Sequence, residues 1–137
     1  MKNTFNFTIK NNMDELPDNL SKAALFFKEH NLPEKTGFGA NLVLEEVCAN
    51  IIQHGYKPKQ TGKIVVSIVI EKDRIFLEIR DNGVKFNPLA LPWQNRLLSA
   101  QERPEKGLGV NFVRNIMDLM QYSNKDKINI LSVWINF

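Results

Sequence analysis

The segment GKIVVSIVIEKDRIFLEIRD, residues 62–81, constrains the fold more than any other part of the sequence. It contains two apolar runs with the alternation of β-strands, and the polar pair Lys72 and Asp73 separates them. Two such runs joined by a tight turn are typical of a β-hairpin. The middle of the chain is therefore predicted to form an antiparallel pair of strands.

The segments on either side of this hairpin have the apolar periodicity of further strands and helices. Strands are predicted over residues 4–10 and in a hairpin over 121–137, and helices over 17–30, 33–55 and 107–120. Residues 81–106 have no period and contain three prolines, which predicts a long loop of the kind that serves as a functional lid. This order favours an α+β fold, a two-layer sandwich with the helices on one face of a mixed, mostly antiparallel sheet.

The composition indicates an ordinary globular protein. The 137 residues are 43% apolar and 24% charged, which predicts one domain over residues 1–137. No apolar run has the length of a membrane span, and the first residues do not form a signal-peptide core. The single cysteine, Cys48, falls among apolar helix positions and predicts a buried, inert thiol. We therefore expect a cytoplasmic protein without a membrane partner.

The positive charge raises nucleic acid as a partner. The formal net charge is +3 and the pI is near 9.0. The basic residues are nevertheless spread along the chain in small groups: Lys57 with Lys59, Arg103 with Lys106, and Lys125 with Lys127. Nucleic-acid-binding proteins concentrate such charge on one helix or stripe. The sequence therefore predicts a solvated basic surface and no direct nucleic-acid partner, and leaves a local anion site open.

The predicted helix over residues 33–55 carries polar residues along one edge. Glu46, Asn50 and His54 are four residues apart and therefore follow one another along the same side of a helix. In the predicted fold this edge faces a crevice, where a ligand has room. A set of structurally satisfied polar groups is the ordinary alternative for such an edge.

Two further segments have features of a nucleotide site. Asp81 ends a strand and Gly83 follows, so that a carboxylate is placed to accept from an exocyclic amine and a flat ring can approach the backbone. Gly107 and Gly109 begin a predicted helix, whose free N–H groups favour a phosphate. A plain turn and a plain helix cap are the alternatives for these two segments when each is taken alone.

Taken together and in this order, the segments LEEVCANIIQHGY, DNGVKFNP and GLGVNFVRNIMD resemble the GHKL ATPase superfamily, which has the Bergerat fold. Within it, the chain is most similar to the bacterial anti-sigma-factor serine-protein kinases. The resemblance covers nearly the whole chain and is least distinctive in the first 30 residues. It implies ATP and Mg²⁺ as cofactors and serine/threonine-protein kinase activity.

The resemblance also implies roles for individual residues. Glu46 matches the general base that takes the proton of the attacking hydroxyl, and Asn50 matches the ligand of the Mg²⁺ that bridges the phosphates. Asp81 matches the residue that reads the adenine amine, and Gly83 the glycine beneath the ring. The residues expected to contact the phosphates are Lys106, Gly107, Leu108 and Gly109, with Arg103 as a further basic residue of the lid.

Some positions depart from the family pattern, and others have roles outside the three motifs. Lys85 and Asn87 stand where related kinases commonly have proline and aspartate, and we expect Lys85 to point to water. Ser132 is the nearest candidate for the hydroxyl that many relatives offer on the adenine side. His54 is expected to have a structural role at the helix end.

The resemblance implies partners as well. The expected partners are an anti-anti-sigma protein with a STAS domain, a sigma factor, and a second copy of the chain that joins through the sheet edge and the first helix. The strand over residues 4–10 would suit such an edge, and an ordinary core strand is the alternative for it. Two other functions remain: a non-catalytic ATP-gated partner-binding module, and a histidine-kinase-like ATPase fragment that works with a separate phospho-acceptor domain. The presence of Glu46 favours the kinase over the binding module. The lack of a dimerisation helix pair with an acceptor histidine argues against the fragment.

Overall fold

The computed structural model describes residues 3–87 and 116–137 of the chain. Its elements are β1 (Thr4–Ile9), α1 (Leu16–Glu29), α2 (Glu34–His54), β2 (Ile64–Ile70), β3 (Arg74–Asp81), β4 (Leu119–Lys125) and β5 (Ile128–Asn136). A single 3₁₀ turn, Met13–Glu15, leads into α1.

The strands form one five-stranded sheet in the order β1-β2-β3-β5-β4, and all four pairings are antiparallel. Isoleucine and valine fill six of the seven positions of β2, and such β-branched side chains suit a pleated surface. Alternate side chains of β2, β3 and β5 are buried, and the two helices cover that face. The predicted α+β sandwich with a mostly antiparallel sheet is confirmed.

The helices pack on the sheet through apolar faces. The face of α2 is the one that the sequence periodicity indicated, whereas in α1 the predicted Ala24 is exposed and Ala23 is buried in its place. Val43, Val47 and Ile51 of α2 are buried at helical spacing, and so are Ala23 and Phe27 of α1. None of the helices in the described part of the chain has the length and apolarity needed to cross a membrane. The helices thus close the core on one side and hold the polar edge of α2 above the sheet.

The predicted boundaries agree with the structure except near residue 119. The central hairpin turns where predicted, and Glu71 N–H donates to the Arg74 carbonyl at 2.8 Å. The helix predicted over 107–120 ends too late, because Leu119 and Met120 pair with Trp134 and Val133 as part of β4. Cross-strand pairing therefore determines the conformation of these two residues, although their apolar periodicity is helical. Residues 107–115 of that helix and most of the predicted lid lie outside the described residues.

Strand β1 lies at an edge of the sheet, as an interface between two copies would require. Its phenylalanines, however, pack within the protomer: the ring centroids of Phe5 and Phe26 are 5.5 Å apart, and Phe7 is buried. Core packing on α1 thus explains why β1 is rich in phenylalanine. The homodimer stays a prediction that these side chains do not support.

Candidate functional site

Asp81, the last residue of β3, is the buried carboxylate at the centre of the site and is only 2% exposed. Its Oδ1 accepts two hydrogen bonds, from Asn129 Nδ2 at 3.0 Å and from the Gly83 N–H at 2.9 Å. Among the described residues, Oδ2 accepts none. The carboxylate is therefore held by one oxygen, and the other is available to a donor that the described part of the chain does not supply.

Asn129 fixes this carboxylate and was not predicted from the sequence. It lies directly opposite Asp81 in the pairing of β3 with β5. Its Nδ2 donates to both Asp81 and the Val84 carbonyl, and its Oδ1 accepts from the Tyr122 hydroxyl and from Asn124 Nδ2. Nδ2 donates two hydrogen bonds and Oδ1 accepts two, so the orientation of the Asn129 amide is fixed.

Ser132 was the predicted source of a hydroxyl for the adenine, and its position in the sheet does not allow that role. It pairs with Glu78 and projects from the face of the sheet that the helices leave open, whereas Asp81 projects from the helix-covered face. Side chains three residues apart on a strand point to opposite faces, so Asn129 and Ser132 cannot both reach Asp81. The polar partner that β5 offers is an amide and not a hydroxyl.

Burial is the main influence on the ionisation of this site. It raises the pKa of the Asp81 carboxyl, and the hydrogen bonds from Asn129 and Gly83 offset part of the increase. Burial, with a smaller contribution from the charge of Asp81, also raises the pKa of the Cys48 thiol to about 12 and that of the Tyr56 hydroxyl to about 12. Cys48 is thus a buried neutral thiol, as predicted, and it lies within electrostatic reach of Asp81.

A close contact between two glycines joins α2 to the segment after β3. The Val84 N–H donates to the Gly55 carbonyl at 2.7 Å. A β-carbon at position 83 would lie 2.2 Å from that same carbonyl oxygen, nearer than any real contact. No described glycine has a positive φ, so position 83 requires glycine for space and not for backbone conformation.

The polar edge of α2 runs from the protein interior to solvent. Asn50 is fully buried, Glu46 is half-buried and His54 is exposed. The helix ends with the Gly55 N–H donating to the Ile51 carbonyl at 2.7 Å, a bond that involves no side chain. The roles assigned to these three residues stay predictions.

The oxygen donors on this edge fit a Mg²⁺ ion that arrives with a nucleotide. Among residues 3–87 and 116–137, no group of three His, Cys, Asp or Glu side chains is arranged around a metal position. The amide oxygen of Asn50 is a hard donor, and Mg²⁺ is usually held by one or two protein ligands together with water and phosphate oxygens. The donor set therefore suits an ion shared with phosphates and not a protein cage.

The structure brings together Asp81, Gly83 and the end of α2, which come from two of the three motifs. The third motif, with Lys106, Gly107, Leu108 and Gly109, lies outside the described residues, as does Arg103. Lys85 is exposed, as expected.

Comparison with known proteins agrees with this arrangement. The family model of the histidine kinase-like ATPase domain matches residues 13–135. The chain therefore belongs to the histidine kinase-like ATPase family, as the resemblance of its motifs predicted.

Among curated proteins, the chain is similar to serine-protein kinase RsbW. It is 30% identical to the protein from Bacillus mycoides (strain KBAB4) over 95 residues, which are 66% of this chain and 58% of that protein. It is 28% identical to the protein from Bacillus cereus (strain AH187) over 113 residues, 71% of this chain and 66% of that protein. The chain thus spans about three fifths of the length of these relatives.

Among solved structures, the fold is similar to the histidine kinase domain of the blue-light activated histidine kinase from Erythrobacter litoralis EL346. The TM-score is 0.55 at 14% identity, and the match covers 88% of this chain and 60% of that chain. A second structure of this kinase gives a TM-score of 0.52 at 18% identity and covers 76% of this chain and 31% of that chain. At these identities the likeness concerns the fold alone.

We predict that Gly83→Ala destabilises the protein, because the added methyl group collides with the Gly55 carbonyl and breaks its bond to Val84. The expected loss in the free energy of unfolding is about 1–3 kcal/mol, measured by urea denaturation. Gly37→Ala is the matched control: its β-carbon would lie 3.4 Å from Phe27 Cβ, an ordinary contact, and alanine favours the helix. Equal urea midpoints for Gly83→Ala and the wild type would contradict the contact.

We predict that Asp81→Asn does not destabilise the protein at neutral pH. The folded-state pKa of Asp81 is raised, so its contribution to stability is complete below the unfolded pKa and is lost as the pH rises through the folded pKa. Asparagine keeps the Oδ1 acceptor and removes the buried charge. Thermal unfolding should show the variant at least as stable as the wild type at pH 7, with the difference vanishing below about pH 4. The exposed Asp73→Asn is the control, and a clear loss of stability at pH 7 for Asp81→Asn would refute the prediction.

Proposed function

We propose that this chain is an ATP-dependent serine/threonine-protein kinase that acts as an anti-sigma factor. The observation that carries the proposal is the Asp81 carboxylate, which is buried, fixed through Oδ1, and able to accept at Oδ2. A hydrogen bond from the exocyclic amine of adenine would satisfy that oxygen. Membership of the histidine kinase-like ATPase family supports ATP as the ligand.

Asn50 and Glu46 would act in metal binding and phosphoryl transfer. Asn50 would contribute an oxygen ligand to Mg²⁺, which would supply charge neutralisation to the phosphates of ATP. Glu46 precedes it by four residues on α2, a rise of about 6 Å, which separates a base from an ion ligand along one edge. The Glu46 carboxylate would accept the proton of the serine hydroxyl as it attacks. Lys106, Gly107, Leu108 and Gly109 would hold the phosphates.

The substrate we propose is a serine on a STAS-type anti-anti-sigma protein, with a sigma factor as the alternative partner. The name serine-protein kinase RsbW, carried by relatives about 30% identical, supports this choice. Phosphorylation would add nearly two negative charges to a packed interface and expel the partner by repulsion and desolvation. We further propose that residues 1–137 act as one ATPase domain and that two copies associate.

We predict that ATP binds about 10- to 100-fold more tightly than GTP in the presence of Mg²⁺. Guanine presents a carbonyl where adenine has its amine, and that carbonyl would face the carboxylate of Asp81. Isothermal titration calorimetry measures both affinities. In Asp81→Asn the amide can donate to the guanine carbonyl, so the ATP preference should fall. Equal affinities for ATP and GTP in the wild type would show that Asp81 does not distinguish the two bases.

We predict that Glu46→Ala lowers phosphoryl transfer to a STAS partner by roughly 10²–10⁴-fold and changes ATP affinity little. Asn50→Ala should impair both, because it removes a ligand of the ion that binds with ATP. Glu45→Ala is the matched control, since Glu45 is the exposed neighbour on the same helix. Radiolabelled ATP measures transfer, and calorimetry measures binding.

The same assay decides between the kinase and the binding module. Transfer by Glu46→Ala at the wild-type rate would show that the base is another group. A wild-type protein that captures the partner in the presence of ATP without transferring phosphate would establish the ATP-gated binding module instead.

A further inference from the structure

One end of the sheet is basic, although the lysines that form it are far apart in the sequence. We call this surface the basic end; its residues are Lys57, Lys59, Lys63, Lys85, Lys125 and Lys127, all of them exposed. They lie on three segments: the loop between α2 and β2, the segment after β3, and the end of β4 with the turn that follows it.

The pairing of the strands places these segments side by side. Ile64 of β2 pairs with Asp81, Asp81 pairs with Asn129, and Asn129 pairs with Asn124, so one row crosses four strands. Lysines 63, 85, 125 and 127 each lie within four residues of a member of this row. Adjacent strands are about 4.8 Å apart, so the row is about 15 Å wide.

The loop between α2 and β2 is held in place by hydrogen bonds. The Lys57 N–H donates to Gln60 Oε1 at 3.0 Å, and the Lys63 N–H donates to Asn82 Oδ1 at 2.9 Å. Asn11 also bonds to this loop, donating to the Gln60 carbonyl at 2.8 Å. The backbone positions of the lysines are therefore fixed before any partner arrives, which lowers the entropy cost of binding.

Two of the six lysines have an unusual backbone conformation. Lys59 and Lys127 have φ values of 65° and 68°, in the left-handed region where a non-glycine residue costs about 1 kcal/mol. Glycine or asparagine would fit both turns with less strain. At Lys127 the two-residue turn between β4 and β5 requires this conformation, and Asp126 shares it. The two conformations place positive charges at the tips of two loops.

The charge of the basic end is not balanced locally. Within the three segments the carboxylates are Asp126, which lies between two lysines, and the buried Asp81. The segment after β1 lies at the same end, where Asn11 bonds to the loop, and it adds Lys10, Asp14 and Glu15. Lysines therefore still outnumber the carboxylates of the described residues at this end. At the opposite end of the sheet, Glu71 and Arg74 form an ion pair beside Lys72 and Asp73, so the signs there are mixed. The basic end thus holds six of the 13 lysines and arginines in the described part of the chain.

We propose that the basic end binds an acidic, extended segment of a protein partner. A chain of about five residues spans the 15 Å row, and its carboxylates would face lysines on neighbouring strands. The aromatic residues near these lysines, Tyr56, Phe86 and Tyr122, are half-buried and pack against the core, so none presents a fully exposed ring for base stacking. An acidic peptide therefore fits this surface better than nucleic acid does.

The test uses fluorescein-labelled hexaglutamate and fluorescence anisotropy at 50 mM and 200 mM salt. The variant Lys57→Glu/Lys63→Glu/Lys125→Glu changes lysines with ordinary backbone angles. Lys28→Glu/Lys35→Glu/Lys72→Glu is the matched control, because it changes the net charge equally on exposed lysines elsewhere. We expect the wild type to bind the peptide more weakly at the higher salt, and the first variant to bind about 10- to 100-fold more weakly than the control.

Absence of peptide binding by the wild type, or equal losses in the two triple variants, would overturn the proposal. Tighter binding of a labelled oligothymidylate than of hexaglutamate, lost in the first variant, would assign the surface to nucleic acid instead. A loss of ATP binding in the first variant, with unchanged thermal stability, would show that these lysines bind the nucleotide instead of a peptide. Peptide binding is read in the absence of ATP, so its outcome is independent of the proposed kinase function.

Discussion

The contact between the end of α2 and the segment after β3 is the constraint on which the site depends. The Gly55 carbonyl accepts the Val84 N–H at 2.7 Å and leaves no room for a β-carbon at position 83. This contact brings the end of the polar edge of α2 to the segment that follows Asp81. The same hydrogen bond fixes the start of the loop that carries Lys85. The candidate nucleotide site and the basic end therefore both depend on the contact between Gly55 and Val84.

The Asp81 network illustrates a conflict between stability and binding. A buried carboxylate weakens the folded state at neutral pH, because burial raises its pKa. Asn129 and the Gly83 N–H reduce that cost at Oδ1, and among the described residues no donor contacts Oδ2. In a purely structural site, a second internal donor would be expected to satisfy the other oxygen. The unequal treatment of the two oxygens therefore favours a recognition role for Asp81.

The sequence predicted the features that depend on apolar periodicity or on a short motif. The remaining features depend on the pairing of strands that are distant in the sequence. The central hairpin and the buried face of α2 follow from apolar periodicity, and Asp81 and Gly83 from a short motif. Asn129 could not be found in this way, because it reaches Asp81 across 48 residues through strand register. The misplaced Ser132, the strand position of Leu119 and the convergence of the lysines have the same cause. Register decides which face a side chain occupies, and no local pattern in the sequence specifies the partner strand.

The carboxyl pKa of Asp81, followed by ¹³C NMR with and without Mg²⁺-ATP, tests the central claim most directly. In the free protein the pKa should lie above the usual range for aspartate, because burial dominates. On binding ATP it should fall, because the adenine amine would donate to Oδ2 and stabilise the ionised form. An Asp81 pKa that is ordinary in the free protein, or that does not change when ATP binds, would contradict the account.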